Sequence, residues 1–332
     1  MPVDSGRFLT RSYRPGDEHA ILELFARSFH APRTLEQWRW KFQGNPYGRE
    51  RISLTFDGPA LVAHYAGYPV PFAMRDGDVI AYQIGDTMTD PSIRHIGRGP
   101  SSILGQTALH FYENFCEGQV AFNYGFNVAN IQKFSLRFLR SDRVEPVTYR
   151  VRDLRARPLP AIRRAERWAR GISLELVRSV SPAWDALFSR LRLHYPFLSR
   201  RDSTYVTWRY LQCPDPQYTV VSMRKWGKLV GWIVFRLRED RFSLGDMLID
   251  PDHADALEVA LRHLLAVFPA SLIELWCPPR PSWLDQYLRE SGFETRPEPQ
   301  DLSVMCVPFM RKDAVEAMRS DLFYTMGDSD LF

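Results

Sequence analysis

Three short motifs from the first half of the chain return, in the same order, in the second half. The matched segments are 38–43 with 208–212, 58–63 with 227–231, and 85–91 with 245–251. The third pair is the most informative, because both copies begin with Gly-Asp and end with Asp-Pro. The separation between copies is far longer than the repeat unit of a solenoid, so the pattern predicts a duplicated domain.

Length and composition agree with two domains. The chain has 332 residues, which exceeds the usual size of one domain, and its 45% hydrophobic content is normal for a globular core. The four cysteines are scattered without a Cys-x-x-Cys pair, which argues against a disulfide framework or a zinc site. No apolar run approaches the roughly 20 residues of a membrane span, and the first residues lack the apolar core of a signal peptide. We therefore expect a cytoplasmic protein with no membrane span and no metal.

The hydrophobic pattern of residues 1–155 predicts an ordered series of elements. Asp-Gly pairs at 57–58 and 76–77, each between alternating apolar stretches, indicate β-hairpins. The predicted order is strand, two helices, three antiparallel strands, helix, strand, helix and strand. The third antiparallel strand covers 79–89, and the strand after the next helix covers 119–126. The predicted fold class is therefore α/β, of the α+β type with a mixed sheet.

A glycine-punctuated loop follows the strand at 79–89. Residues 94–99 read Arg-His-Ile-Gly-Arg-Gly, and Pro100 is predicted to begin a helix, because proline is tolerated in the first turn. Glycines let a backbone approach an anion closely, and a helix N-terminus offers unpaired N–H groups with a partial positive charge. The loop suits a pyrophosphate, although an ordinary strand-to-helix connection has the same spacing.

The Arg-x-x-Gly-x-Gly pattern, together with this order of elements, resembles the GNAT superfamily, the GCN5-related N-acetyltransferases. The resemblance implies that an acyl-CoA donor lies between the strands 79–89 and 119–126, which separate in that family. Because the second half repeats the first, it also implies two tandem GNAT-like domains, each a mostly antiparallel sheet flanked by helices. The predicted ranges are 1–155 for the catalytic domain, 156–171 for an Arg/Pro-rich linker, 172–310 for a degenerate second domain, and 311–332 for a C-terminal helix and tail.

The second copy lacks the donor-binding pattern. Asp250 and the proline after it are followed by Asp252 and Asp255, with no glycine loop. Three carboxylates at this place would repel a pyrophosphate. We therefore expect one donor site per chain, in the first half, with the second half in a structural role.

The resemblance assigns donor binding to residues around the loop. The backbone of residues 88–89 would hold the pantetheine arm, and the N–H groups of residues 96–101 would hold the pyrophosphate, except at Pro100, which has none. Asn127 and Asn130 would bond the pantetheine amides, unless they cap the helix that follows. The predicted set is Met88, Thr89, Arg94, His95, Ile96, Gly97, Arg98, Gly99, Ser101, Asn127, Asn130 and Phe134.

Three side chains are candidates for proton transfer. By resemblance Asp86 is the candidate general base; the alternative is a buried structural aspartate, which its repetition at Asp246 favours. His64, on the preceding strand, is the rival base. The family commonly has a tyrosine as general acid where this chain has Phe134. Tyr124 would therefore substitute, or the thiolate would leave without an acid, since thiols are acidic enough near neutral pH.

The acceptor is expected to be a small-molecule primary amine. An amino sugar, an amino acid, a polyamine, an antibiotic and a protein lysine all remain open as the acceptor. Four aromatic side chains are candidates to line its pocket, with membership of the core as the alternative: Trp38, Trp40, Tyr65 and Tyr68.

An arginine-rich stretch around Arg163, Arg164 and Arg167 motivates a different partner. It is either a solvated connector or a landing site for an acidic partner such as an acyl carrier protein. We expect no nucleic acid partner, because the stretch lacks interleaved aromatic residues for base stacking.

The predicted function is transfer of an acyl group, with acetyl favoured by the resemblance, from acyl-CoA to a primary amine by direct attack in a ternary complex. The donor is acetyl-CoA or another acyl-CoA. One alternative takes the acyl group from an acyl carrier protein or an aminoacyl-tRNA. Another is a non-catalytic CoA-binding or sensing protein, which the missing tyrosine at position 134 motivates. The oligomeric state is not predicted.

Overall fold

The computed structural model describes residues 7–332, so the start of the predicted first domain, with most of the stretch tested for a signal peptide, lies outside the described residues. The chain forms two compact units. The first unit comprises residues 7–71, 79–146 and 300–319, and the second comprises 72–78, 147–299 and 320–332. None of the helices in this described part is long and apolar enough to cross a membrane.

The units contain helices and strands in the following order along the chain. The α-helices are α1 Glu18–Phe29, α2 Leu35–Phe42, α3 Ile103–Phe115, α4 Ala129–Phe138, α5 Arg164–Ala169, α6 Pro182–Leu191, α7 Ser203–Val206, α8 Asp255–Val267, α9 Ser282–Glu290 and α10 Ala314–Asp321. The strands are β1 Phe8–Ser12, β2 Arg51–Asp57, β3 Ala60–Met74, β4 Gly77–Thr89, β5 Phe122–Asn127, β6 Asp142–Pro146, β7 Tyr149–Asp153, β8 Ile172–Leu176, β9 Phe197–Ser199, β10 Thr219–Lys225, β11 Lys228–Arg238, β12 Arg241–Ile249, β13 Leu272–Trp276, β14 Glu294–Arg296, β15 Ser303–Pro308 and β16 Leu322–Phe323.

The sheet of the first unit has the order β1-β2-β3-β4-β5-β15-β6. The predicted hairpins are present, with Asp57 of β2 paired to Ala60 of β3 across a two-residue turn. β5 is parallel to β4 and antiparallel to β15. The α/β class with a mixed sheet flanked by helices is confirmed.

One predicted strand is two strands in different sheets. The apolar stretch at 144–151 was expected to close the first domain as a single strand. Instead β6 belongs to the first sheet, and β7 pairs with β13 and β14 in the second. In return β15, from the predicted second domain, lies between β5 and β6. The units therefore differ from the predicted ranges 1–155 and 172–310, because strand periodicity does not reveal which sheet a strand joins.

The sheet of the second unit has the order β14-β7-β13-β12-β11-β10-β8. Its strands β10, β11 and β12 form an antiparallel meander, and β13 runs parallel to β12, as β5 does to β4. The predicted linker is part of this unit. It contains α5, and Arg262 of α8 donates to the carbonyl of Pro160 at 2.8 Å and to Glu166 at 2.8 Å.

Candidate active site

A cleft opens where β4 and β5 separate. The two strands are paired only at Tyr82 with Asn123 and at Gln83 with Tyr124. Beyond these pairs the cleft has an empty volume of about 440 Å³, part of which is open to solvent. Its lining includes Ile84 and Thr87 from β4, Gly125 and Asn127 from β5, and Phe134 and Ser135 from α4. The opening predicted between these two strands is therefore present.

Two tyrosine hydroxyls form part of the cleft wall. Tyr65 of β3 and Tyr112 of α3 both line it, and their hydroxyl oxygens are 3.1 Å apart. Burial raises the pKa of both phenols, so the hydroxyls stay neutral at physiological pH. Tyr65 was a candidate to line an acceptor pocket, and its ring packs on Phe111 and Tyr112 of α3. Tyr112 was missed, because a tyrosine on the apolar face of a helix carries no functional signal.

The predicted general acid lies in the cleft. Tyr124 is buried, lines the cleft, and donates its hydroxyl proton to Gln83 Oε1 at 3.1 Å. Phe134 also lines the cleft and brings no hydroxyl to it. Tyr124 as proton donor remains a prediction that the geometry permits.

The loop after β4 is more elaborate than predicted. Pro100 does not begin the helix: it lies in a short 3-10 turn, and the side chain of Ser102 caps α3 by accepting from Gly105 N at 3.1 Å. Gly97 and Gly99 have φ of 75° and 56°, which favour glycine. A Cβ on Gly97 would lie 2.3 Å from the Ser101 carbonyl oxygen, so the loop excludes any side chain there.

Three consecutive amides form the available part of the predicted pyrophosphate cradle. Ile96 N and Ser101 N are bonded within the loop, to the carbonyls of Ile93 and Arg98. In the described part of the chain, no partner is recorded for the amides of residues 97–99. The predicted cradle therefore narrows to these three groups, because the loop itself uses the other two.

Other predicted donor-binding residues occupy varied environments. The side chain of Met88 is buried, as is Thr89 Oγ1, which has no hydrogen-bond partner among residues 7–332. Arg94 donates its Nε–H to the Thr89 carbonyl at 3.0 Å, which ties the loop to the end of β4. The exposed residues of the loop from 94 to 101 are Arg94, His95, Arg98, Pro100 and Ser101.

The two asparagines do not cap α4. The N-cap residue is Val128, and no side chain caps this helix. Asn127 instead lines the cleft and donates to Ser135 Oγ at 3.5 Å. Asn130 is exposed in the first turn of α4. Helix capping, the alternative explanation for both residues, is therefore wrong, whereas pantetheine binding remains a prediction.

Asp86 lies in a buried cluster of charges. It forms ion pairs with Arg33, which precedes α2, and with Lys41 of α2, whose Nζ is 3.0 Å from Asp86 Oδ1. Burial acts to raise the pKa of Asp86, but the two cations outweigh it and hold the pKa well below its usual range. Asp86 also has a φ of 52°, an uncommon value for a residue other than glycine. The ion pairs argue against Asp86 as general base, because a carboxylate of low pKa is a weak proton acceptor.

His64 is also ill suited to the role of base. Its Nδ1–H donates to the Asp86 carbonyl at 2.7 Å, and the ring is fully buried. Burial lowers the pKa of His64 to about 4, so the ring is neutral near pH 7. Its Nε2 has no hydrogen-bond partner among the described residues. Trp38 and Tyr68 are likewise buried, in agreement with a place in the core.

The second unit repeats the charge cluster with a different composition. Asp246 is bonded by Arg201, with Nε to Oδ1 at 2.9 Å, and by the hydroxyl of Tyr210. Arg201 directly precedes the N-cap of α7, just as Arg33 directly precedes the N-cap of α2. The two Arg–Asp pairs are therefore equivalent positions of the duplicated fold. The repeated motifs include the aspartates but not the arginines, because the segments around the arginines differ in length.

A second equivalent pair fixes the start of the loop in each unit. Arg27 of α1 bonds Asp90 at 3.0 Å, and Arg190 of α6 bonds Asp250 at 3.2 Å. The chains then diverge. Residues 94–102 separate the 3-10 turn from α3 in the first unit, whereas Ala254 alone separates the turn from α8 in the second. The glycine loop therefore has no counterpart in the second unit.

The 325–332 segment covers the charge cluster of the second unit. Asp328 Oδ2 is 2.6 Å from Arg201 Nη2, and Thr325 Oγ1 donates to Asp246 Oδ1 at 2.8 Å. The ring of Phe332 lies so close to Gly245 that a Cβ there would be 1.7 Å from it. This segment, predicted only as a tail, is largely buried.

No group of His, Cys, Asp and Glu side chains that could hold a metal ion occurs within residues 7–332. The candidate site thus consists of the cleft, the three loop amides and the Asp86 cluster. Each belongs to the first unit.

Comparison with solved structures shows the same fold. A probable N-acyltransferase from Enterococcus faecalis V583 superposes with a TM-score of 0.67 at 11% identity, over 92% of this chain and 73% of that chain. A GCN5-related N-acetyltransferase from Anabaena variabilis ATCC 29413 gives 0.65 at 12% identity, over 90% and 72%. One from Kribbella flavida gives 0.60 at 14% identity, over 90% and 70%.

Comparison of sequences matches a part of the chain. No curated protein matches the chain. The family described as the acetyltransferase (GNAT) domain matches residues 10–135, a range that includes the loop, Asp86 and the strands of the cleft. Residues 10–135 therefore match the GNAT acetyltransferase family, within a chain that has the fold of GCN5-related N-acetyltransferases.

Proposed function

We propose that the first unit transfers an acyl group, with acetyl the first choice, from acyl-CoA to a primary amine by direct attack. The observation that carries this proposal is the continuity of the cleft and the loop on one strand. β4 contributes Thr87 to the cleft and ends at Thr89, and the loop with three available amides follows. A pantetheine arm needs such a cleft, and a pyrophosphate needs such amides.

The reaction forms one bond and breaks one. The neutral amine attacks the thioester carbonyl carbon, the C–N bond forms, the C–S bond breaks, and the amine loses a proton while the thiolate gains one. The amides of residues 97–99 bind the pyrophosphate, and the cleft holds the arm away from water. The hydroxyl of Tyr124, which is hydrogen-bonded to Gln83, donates the proton to the thiolate.

The amine loses its proton to water rather than to an enzyme carboxylate. Asp86 is held ionised by two cations, and His64 is neutral with a lowered pKa. Both groups are therefore too weakly basic to accept a proton from an ammonium group near pH 7. It follows that the pH profile of kcat/KM should track the pKa of the amine that is used.

The test is an assay of thiol release from acetyl-CoA with a panel of primary amines, with the product identified by its added acetyl mass. Amine-dependent release with formation of the amide supports the proposal. Release that requires an acylated carrier protein would support the carrier-bound donor instead. Binding of CoA without turnover of any amine would overturn the enzymatic proposal in favour of a sensing protein.

A further inference from the structure

The two equivalent arginines differ in how many carboxylates they bind. In the second unit, Arg201 binds two: its Nε contacts Asp246 and its Nη2 contacts Asp328, at 2.9 and 2.6 Å. In the first unit, Arg33 contacts Asp86 through Nη1. Its Nε–H and Nη2–H groups have no recorded partner in the part of the chain that the structure describes.

The arginine with fewer carboxylate partners is also the more exposed of the two. Arg201 is sealed, with 0% of its side chain exposed, whereas 19% of the Arg33 side chain is exposed. The second unit is sealed by the 325–332 segment, which carries Asp328. The place that Asp328 fills in one unit is therefore open in the other.

The charges of the first cluster also favour an anion. Asp86 is bracketed by the cations of Arg33 and Lys41, and the neighbouring His64 is neutral. In the second cluster, Arg201 is bracketed by two carboxylates. A guanidinium with free N–H groups at a largely buried place binds a carboxylate through its planar fork.

We propose that the acceptor amine carries a carboxylate, and that this group binds the free edge of Arg33 as Asp328 binds Arg201. The substrate class is thus an amino acid or a related amino carboxylate. The inference rests on the proposed function and narrows it. Asp86 of the cluster is followed directly on β4 by Thr87, which lines the cleft that would hold the thioester.

The experiment compares matched acceptors that differ by the carboxylate alone, such as lysine with cadaverine and phenylalanine with phenethylamine, each with acetyl-CoA. In the wild type, the carboxylate member of a pair should have the higher kcat/KM, by about 10- to 100-fold. The plain amine cannot form the charged hydrogen bond with Arg33. Arg33→Met should lower kcat/KM for the carboxylate member of each pair far more than for the plain amine, so that the preference is lost. Guanidinium ion added to Arg33→Met should restore part of it.

The control is Arg155→Met, which removes a cation from an exposed ion pair with Asp240 in the second unit and should leave the preference unchanged. Arg33→Lys serves if Arg33→Met does not fold: it keeps the charge, loses the fork, and should reduce the preference several-fold. Acetylation of both members of each pair at equal rates, or an equal loss for both in a folded Arg33 variant, would overturn the inference alone. Absence of amine acetylation by the wild type would overturn the proposed function, and this inference with it.

Discussion

Lys41 and Asp86 form a buried ion pair, with Nζ 3.0 Å from Oδ1, and both side chains are at most 7% exposed. Together with Arg33, they make the first unit's cluster one carboxylate between two cations. Removing the carboxylate would leave both cations buried without it, and this is far costlier than removing one cation. The stability of the cluster therefore depends most on the negative charge of Asp86.

Asp86→Asn should lower the free energy of unfolding by about 3 kcal/mol. Asparagine tolerates the left-handed backbone at this position, so the change tests charge rather than backbone strain. Lys41→Met, which leaves the Arg33–Asp86 pair, should cost less. Urea unfolding of both variants measures the difference. Equal stability of Asp86→Asn and the wild type would show that the cluster does not depend on this carboxylate.

His64 should make stability depend on pH. Burial lowers its pKa to about 4 in the folded protein, against about 6.5 in the unfolded chain. The unfolded state therefore binds more protons than the folded state between these two pH values. The contribution of His64 to the free energy of unfolding is complete above about pH 6.5 and falls as the pH drops. From about pH 7.5 to about pH 5 the loss should be roughly 2 kcal/mol.

The matched variant is His64→Asn, which keeps a donor for the Asp86 carbonyl and does not titrate. Its unfolding free energy should lack this part of the pH slope. Asp86 does not confuse the comparison: its lowered pKa contributes stability above about pH 4 that is lost only at lower pH. An identical slope in the variant and the wild type would contradict the account.

Gly97→Ala should weaken donor binding at least about tenfold by distorting the loop, because its Cβ would meet the Ser101 carbonyl. Gly118→Ala is a close control. Gly118 has a φ of 71°, near the 75° of Gly97, but nothing lies within 4 Å of an added Cβ. Both variants carry the same backbone strain, so a difference in acetyl-CoA affinity isolates the loop. Equal affinities of the two variants for acetyl-CoA would show that the loop does not bind the donor.

Tyr124→Phe should lower kcat by about 10- to 100-fold if this hydroxyl protonates the departing thiolate. Donor affinity should change little, since the ring that lines the cleft is retained. Steady-state kinetics with saturating amine separates the two effects. An unchanged kcat would mean that the thiolate leaves without this acid.

The sequence predicted the elements well where the signal was local. Hairpin turns at Asp-Gly pairs, the strand before the loop and the C-terminal helix within 311–332 follow from patterns within a few residues, and the structure has each of them. The start of α3 was misplaced because Ser102 caps it, and a proline two residues earlier obscured that cap. The exchange of β7 and β15 between sheets was not predictable, since strand pairing at long range leaves no periodic trace.

The candidate site was predicted unevenly for a similar reason. The glycine loop and the separated strands follow from the motif at 94–99 and the order of elements. The partners of Asp86 do not: Arg33 lies 53 residues before it and Lys41 lies 45 before it. The equivalent arginines of the two halves were hidden because Trp38 follows Arg33 by five residues, whereas its repeat Trp208 follows Arg201 by seven.

The most direct test of the account is calorimetric titration of the whole chain with acetyl-CoA, beside a longer acyl-CoA and an acylated carrier protein. We expect one donor site per chain, weakened or lost in Gly97→Ala and unchanged in His253→Glu, which alters the equivalent turn of the second unit. Two sites, or a site that responds to His253→Glu and not to Gly97→Ala, would contradict a single donor site in the first unit. Absence of binding to either CoA ester would contradict the central claim itself.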